Sequence, residues 1–182
     1  MAAQVLSGIQ HNCRSINTGL TELKLLIYNV RPDFVALSET WLNVNSKYIP
    51  KFINYSAEWV NRQTSTGGGL GILVKKGIIY RNINLNPFNN GVMEVQCIEI
   101  LLSNHEYLKI LNIYNPNKNI TLGEMNHYIH QLGDKFIFIG DFNAHSILFS
   151  SRTTTANSTG RTIENLLQQE PICLNVVNHT QL

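Results

Sequence analysis

The chain has 182 residues, 43% of them hydrophobic, with 14 Lys+Arg against 12 Asp+Glu and a formal net charge of +2. That length suits one domain with a real core and is short for two. A mean hydropathy of -0.07 excludes a disordered chain, no apolar run approaches the ~20 residues that span a bilayer, and so small a charge excludes holding DNA by blanket electrostatics.

Cys13, Cys97 and Cys173 are widely spaced and odd in number. They fit neither a disulfide framework nor a CxxC zinc site and point to a reducing compartment. Met1 to Gln10 lacks the basic and then apolar pattern of a secretory signal. Asparagine is abundant, as at Asn82, Asn84, Asn86, Asn89 and Asn90. It fills turns, so no Asn is read as functional without a motif around it.

Val5 to Asn12 reads as a buried strand with a polar end. Thr18 or Thr21 is placed to cap a helix whose apolar face is Leu20, Leu23, Leu26/Ile27 and Val30. Arg31-Pro32-Asp33 ends it, because the residue before proline resists the α region. Phe34 to Leu37 is a short apolar strand that delivers Ser38-Glu39-Thr40 to its C-terminal end. Tyr55 to Val60 alternates as a strand. Gly67-Gly68-Gly69 breaks the chain before the strand Leu70 to Val74, and Lys75-Lys76-Gly77 turns it.

Val92 to Leu102 and Tyr107 to Tyr114 form a hairpin through Ser103-Asn104-His105. Asn115 to Asn119 is loop, and Leu122 to Leu132 has helical spacing. Phe136 to Ile139 is a strand ending at Gly140-Asp141, Thr162 to Gln169 is helical, and Cys173 to Val177 is a last strand. Strands outnumber the interspersed helices, which argues an α/β sandwich in one domain, residues 1–182, without repeats or linkers.

Of the three aspartates, Asp33 follows Pro at a strand entrance and Asp134 sits in the turn Gly133-Asp134-Lys135. Asp141 leaves an apolar strand into Gly140-Asp141-Phe142-Asn143-Ala144-His145. Taken alone, a turn-forming aspartate is the better explanation. Three other strand ends add weight, closing on Asn12, Glu39 and Tyr114. Amide, carboxylate and phenol at such ends suit a hard cation or a phosphate: carboxylates favour Mg²⁺ and can take a proton from water, while amide and phenol donors stabilise phosphate charge.

In family order, Gln10-His11-Asn12-Cys13-Arg14-Ser15-Ile16, Leu23 to Leu26, Pro32 to Leu42, Gly67 to Ile72, Ile113-Tyr114-Asn115-Pro116, Gly140 to His145, and Asn157 to Gly160 with Arg161 run from near the start of the chain to its end. Together these stretches resemble the endonuclease domain of non-LTR retrotransposons, in the endonuclease/exonuclease/phosphatase superfamily that includes apurinic-site repair nucleases. The resemblance implies a four-layer α/β sandwich, two packed mixed sheets flanked by helices, with the site at one end. It implies that Glu39 binds Mg²⁺, or Mn²⁺ in its place, with Asn12 beside it. Asp141 would orient or deprotonate water, Asn143 and Tyr114 would hold the scissile phosphate, and Arg14, Arg62 and, with less weight, His145 would contact DNA. For either arginine a solvated surface role is as ready an explanation, and for His145 a local structural one is readier. The implied activity is Mg²⁺-dependent nicking of DNA in the nucleus by a protein made in the cytoplasm. The nick would prime a C-terminal reverse transcriptase on element RNA, with no membrane involved.

The family pattern continues with another aspartate-bearing strand and ends in Ser-Asp-His, whereas here no aspartate follows Asp141 and the last residues are Asn178-His179-Thr180-Gln181-Leu182. Ser146 and Phe149 stand where the family has His and Trp. The expectation is therefore a domain lacking its C-terminal strands, with little or no nicking activity of its own. The rivals are a phosphatase or sphingomyelinase of the same superfamily acting on small phosphoesters, and an inactive fold fragment that binds DNA weakly. The Cys13-Arg14-Ser15 and Glu39-Thr40-Trp41-Leu42 segments weigh against the first of these.

Overall fold

The computed structural model describes residues 6–62, 67–149, 154–169 and 174–176. In chain order these hold β1 (Gly8–Asn12), α1 (Leu20–Val30), β2 (Phe34–Ser38), β3 (Tyr55–Val60), β4 (Leu70–Lys75), β5 (Tyr80–Ile83), β6 (Glu94–Leu101), β7 (Tyr107–Tyr114), α2 (Leu122–Leu132), β8 (Phe136–Asp141), α3 (Ser158–Gln169) and β9 (Leu174–Val176). They form a four-stranded sheet, ordered β1-β2-β4-β3, and a five-stranded sheet, ordered β5-β6-β7-β8-β9. Both are mixed. β1 and β2 are parallel and β2 and β4 antiparallel, while β6 and β7 are antiparallel and β7 and β8 parallel.

The alternation of side chains along the strands builds the layers. Phe34 and Ala36 of β2, with Ile72 and Val74 of β4, meet Ile98, Ile100, Ile110 and Ile139 of the other sheet. The residues between them face outward: Val35, Leu37 and Leu73 pack under Leu23 and Ile27 of α1. On the far side Cys97, Leu111, Ile113 and Phe138 pack under Met125, Tyr128 and Leu132 of α2 and Ile163 and Leu166 of α3. Strands buried on both faces read as unbroken apolar runs, which is why β2 and β8 are plain in the sequence. A buried polar residue ties the sheets through this interface: the Asn112 amide donates to the carbonyls of Leu37 (2.9 Å) and Gly71 (3.2 Å) in the opposite sheet.

Three expectations are corrected. Neither threonine caps α1: the cap is Gly19, with no side-chain bond, and the Thr18 hydroxyl donates to Ser15 instead. Leu26 and Val30 are exposed, so the buried stripe of α1 narrows to Leu23 and Ile27. β5 was not anticipated, because Tyr-Arg-Asn-Ile has no apolar run. It forms because β6 pairs with it and because Tyr80 and Asn82 both donate to Glu58 of β3, bridging the sheets at one edge. Val5, Cys173 and Val177 lie outside the described residues, so the outer ends of the first and last strands expected from the sequence do too. No helix among the described residues is long and apolar enough to cross a membrane.

Gly140 lets β8 approach β7. Its φ is +149°, and a Cβ built there would stand 1.9 Å from the Ile113 carbonyl oxygen. The clash is with backbone and cannot relax by a rotamer change. Gly140→Ala should therefore destabilise the fold by about 3 kcal/mol, the upper range for overpacking, read as a lowered urea midpoint at unchanged slope.

Candidate active site

Parallel pairing brings strand ends together: Asn12 stands opposite Ser38 in the first sheet, and Tyr114 opposite Asp141 in the second. Glu39 follows Ser38 directly. The sheets are then joined by one side chain. The Asn12 amide donates one hydrogen to Glu39 Oε1 (2.9 Å) and the other to Asp141 Oδ2 (2.7 Å), while its oxygen accepts the Arg14 backbone N–H (3.1 Å). Asn12 is 8% exposed and Asp141 6%. Two carboxylates from different sheets thus face one amide in a largely dry setting.

Their charge is felt by neighbours. Burial, then the charge of Glu39 and a hydrogen bond to it, then the charge of Asp141, push the Tyr114 phenol up to about 12, with Arg62 acting the other way. Burial and then Glu39 push the Cys13 thiol up to about 12 as well. Cys13 and Cys97 are buried free thiols, consistent with the absence of a disulfide framework in the sequence. Cys173 lies outside the described residues.

Asp141 does form the turn that a bland reading allowed, since its Oδ1 accepts the Asn143 N–H (3.1 Å). Its second oxygen is the one that reaches Asn12, so the turn aims the carboxylate. The Asn143 side chain donates to the Asn115 carbonyl (2.6 Å), so at least one of its amide hydrogens braces the loop after β7. Asn115, wholly buried, donates to the carbonyls of Lys118 and Phe142 (2.8 Å each). Asn157 completes the frame: its Oδ1 accepts from His145 N (3.0 Å) and Gly160 N (2.7 Å), and its amide donates to the Asn143 carbonyl (2.9 Å). Asn115 and Asn157 lie within the stretches that carry the family resemblance, and their hydrogen bonds set the loop that carries Asp141 and Asn143. Side-chain chemistry alone gave no signal for either.

The expected DNA contacts divide. Arg14 is exposed, at φ +41°. Arg62 donates through Nε to Glu94 Oε1 (2.6 Å) and is ion-paired with it, while Glu94 Oε2 accepts the Gly69 N–H (2.7 Å). Its guanidinium charge is largely spent on Glu94, a partner the sequence did not reveal. His145 is exposed, and its backbone is held on both sides by Asn157. Ser146 is fully buried, with its hydroxyl hydrogen-bonded to Glu164 of α3, so the smaller residue ties the loop down.

Among the described residues no group of three or more His, Cys, Asp and Glu is placed to hold a metal. Mg²⁺ asks for less: one or two carboxylates, with waters completing its shell. Glu39 and Asp141, hard oxygen donors brought to the same Asn12 amide, fit such a cation. Neither of two described cavities, one of about 320 Å³ beside Glu58, Asn82 and Gln96, includes this cluster.

A family model described as endonuclease-reverse transcriptase matches residues 108–182. No curated protein matches the chain in sequence. Among solved structures, the endonuclease domain of TRAS1, a telomere-specific non-LTR retrotransposon, superposes with a TM-score of 0.70 at 16% identity, over 90% of this chain and 71% of that one. The AP endonuclease LMAP from Leishmania major gives 0.63 at 14% identity over 93% and 71%. An AP endonuclease from Archaeoglobus fulgidus gives 0.62 at 16% over 91% and 71%. The chain therefore has the fold of the endonuclease/exonuclease/phosphatase superfamily, and its C-terminal part carries the sequence pattern of the endonuclease-reverse transcriptase family.

Tyr114 gives a direct check on the geometry. Its proton is held more tightly in the folded chain than in the unfolded one, so the stability it contributes is complete below pH 10 and is lost as pH rises towards about 12. In a difference titration against Tyr114→Phe, the Tyr114 phenol should stay protonated at pH 10.5. Glu39→Gln should lower its value without restoring it to 10, because burial, the largest cause, remains.

Proposed function

We propose that this end of the sandwich is a metal-dependent DNA endonuclease site that nicks a target strand to leave a 3′-hydroxyl for an associated reverse transcriptase. The observation that carries the reading is the Asn12 bridge, which presents Glu39 and Asp141 from two sheets to one point. Glu39, with Asn12 beside it, would hold Mg²⁺ or Mn²⁺, which as a Lewis acid would neutralise charge on the phosphate. Asp141, its direction fixed by Asn12 and the Asn143 backbone, accepts the proton of the attacking water. Tyr114 keeps its proton throughout the working range of pH and donates a hydrogen bond to a phosphate oxygen. Asn143, held at φ +47° by Asn115 and Asn157, sets the loop against which the phosphate would lie.

TRAS1 is named as a retrotransposon endonuclease, and the family model joins endonuclease with reverse transcriptase, which supports a transposon element's DNA, RNA and polymerase as partners.

Calorimetry should show weak Mg²⁺ or Mn²⁺ binding that disappears in Glu39→Gln. Nicking of supercoiled plasmid should be slow, dependent on added metal, and at least about 100-fold weaker in Asp141→Ala, as for loss of one member of a cooperative catalytic set. A chain that binds no metal and nicks no plasmid, or whose nicking survives both substitutions, overturns the proposal.

The arginines should separate on DNA binding. Arg14→Ala should flatten the dependence of log K on log salt by about one phosphate contact. Arg62→Ala should flatten it less, because Glu94 already takes its charge. Equal and large effects would show that the Arg62–Glu94 pair opens on binding.

A further inference from the structure

We infer that Trp41 is a base-stacking contact, so that the nucleic acid taken by this site presents an unpaired or unstacked base beside the carboxylate pair. The inference rests on the endonuclease reading and adds to it the state of the substrate.

Trp41 is 48% exposed, yet both its neighbours, Thr40 and Leu42, are only 1% exposed. Its backbone sits at φ +56°, where a bulky aromatic is a genuine outlier. The conformation is held by hydrogen bonds from Trp41 N to the Gly68 carbonyl (2.9 Å) and from Thr40 N to the Gly69 carbonyl (3.2 Å). The strain therefore fixes a large apolar ring outside the core, where packing does not repay it. Strain kept in this way is expected where a side chain meets a ligand. The contrast lies in the same chain: Trp59, the other tryptophan, is packed over Gly71, whose Cβ would fall 2.4 Å from its ring.

Position and charge name the ligand. Trp41 lies two residues beyond Glu39, on the loop that leaves β2, and its Nε1 stands beside Gly67. On the loop leaving β8, Ile147 and Leu148 are also exposed, giving a second apolar rim beyond Asp141. The chain carries a net charge of only +2, and Arg62 is spent on Glu94. Phosphate contacts alone are few, and a rigid indole face supplies what they lack, because every base has a π-face to stack on. A base inside a continuous duplex is already stacked on both sides and offers no face. A bubble, gap or frayed end does. The contact selects unstacked bases and is indifferent to their identity.

The test uses the full chain carrying Trp59→Phe, which leaves Trp41 as the sole tryptophan, in EDTA so that DNA is bound and not cut. It is titrated with an oligonucleotide duplex containing an unpaired bubble and with the same duplex fully paired. The bubble should quench Trp41 fluorescence with the midpoint seen by anisotropy of labelled DNA, and should bind more tightly than the duplex. In the otherwise native chain, Trp41→Ala should weaken bubble binding by roughly tenfold, and duplex binding by less than about twofold. Trp41→Phe, which keeps a stacking face and the same backbone demands, should retain most of the bubble affinity. Bubble binding by anisotropy with unchanged Trp41 fluorescence, or with equal affinity in Trp41→Ala, overturns the stacking contact and leaves the nuclease reading standing. Binding of neither DNA by the native chain, in EDTA and with Mg²⁺ added, removes the nuclease reading, and this inference with it.

Discussion

One primary amide holds the candidate site together. Asn12 has two hydrogens to give, and each goes to a carboxylate on a different sheet. Without that donor, Glu39 and Asp141 would face one another with only like charge between them, in a place where water screens little. With it, the apolar interface of Phe34, Ala36, Ile72, Val74, Ile98, Ile100, Ile110 and Ile139 can close fully and still deliver both acids to one end. Asn112 makes a similar tie deeper in the same interface, to the carbonyls of Leu37 and Gly71. The sandwich is thus registered by two asparagines as well as by packing. Hydrocarbon contacts are non-directional, and the hydrogen bonds select one register.

The loops at that end are braided through backbone bonds. Ser15 N reaches the Glu39 carbonyl, Ile16 N the Thr40 carbonyl, and Trp41 N the Gly68 carbonyl. Arg14, Ser15, Glu39, Trp41 and Asn143 all sit at positive φ. Outside glycine such backbone is uncommon, and here much of it gathers in the segments that carry the candidate site. Beneath it β2 is wholly buried and β4 and β8 largely so, which gives the strain a rigid base to act against. That arrangement holds the side chains of these loops in fixed directions.

The strands whose both faces are buried were legible in the sequence because burial removes polar residues from them, as in Phe34 to Leu37 and Phe136 to Ile139. Asn12, Glu39, Tyr114 and Asp141 were legible as strand ends closing on polar groups. What the sequence withheld is relational. β5 is polar and exists through its partners, so no local pattern announces it. Arg62 reads as a cation until Glu94, 32 residues away, is seen to neutralise it. Asn115 and Asn157 read as loop filler in a chain rich in asparagine, and only the hydrogen bonds show that they brace the loop of Asp141 and Asn143. The α1 cap failed for a related reason: a threonine hydroxyl has several acceptors within reach, and Thr18 takes Ser15.

The charge balance at the site end sets the terms on which it can meet an anion. Two carboxylates lie at its centre, the Arg62 guanidinium is paired with Glu94, and Arg14 is exposed. A bare phosphate approaching Glu39 and Asp141 meets like charge. The raised phenol of Tyr114 and the raised thiol of Cys13 register that same field from within the protein. A divalent cation bound between the acids would reverse the local sign and make the centre attractive to phosphate while leaving the rim nearly neutral. Affinity would then depend on the cation at one point and on shape and apolar contact elsewhere, with little long-range steering. A surface of that kind discriminates by how closely the substrate's backbone and bases can approach it, and continuous duplex, distorted duplex and single strand differ in that closeness more than in their charge.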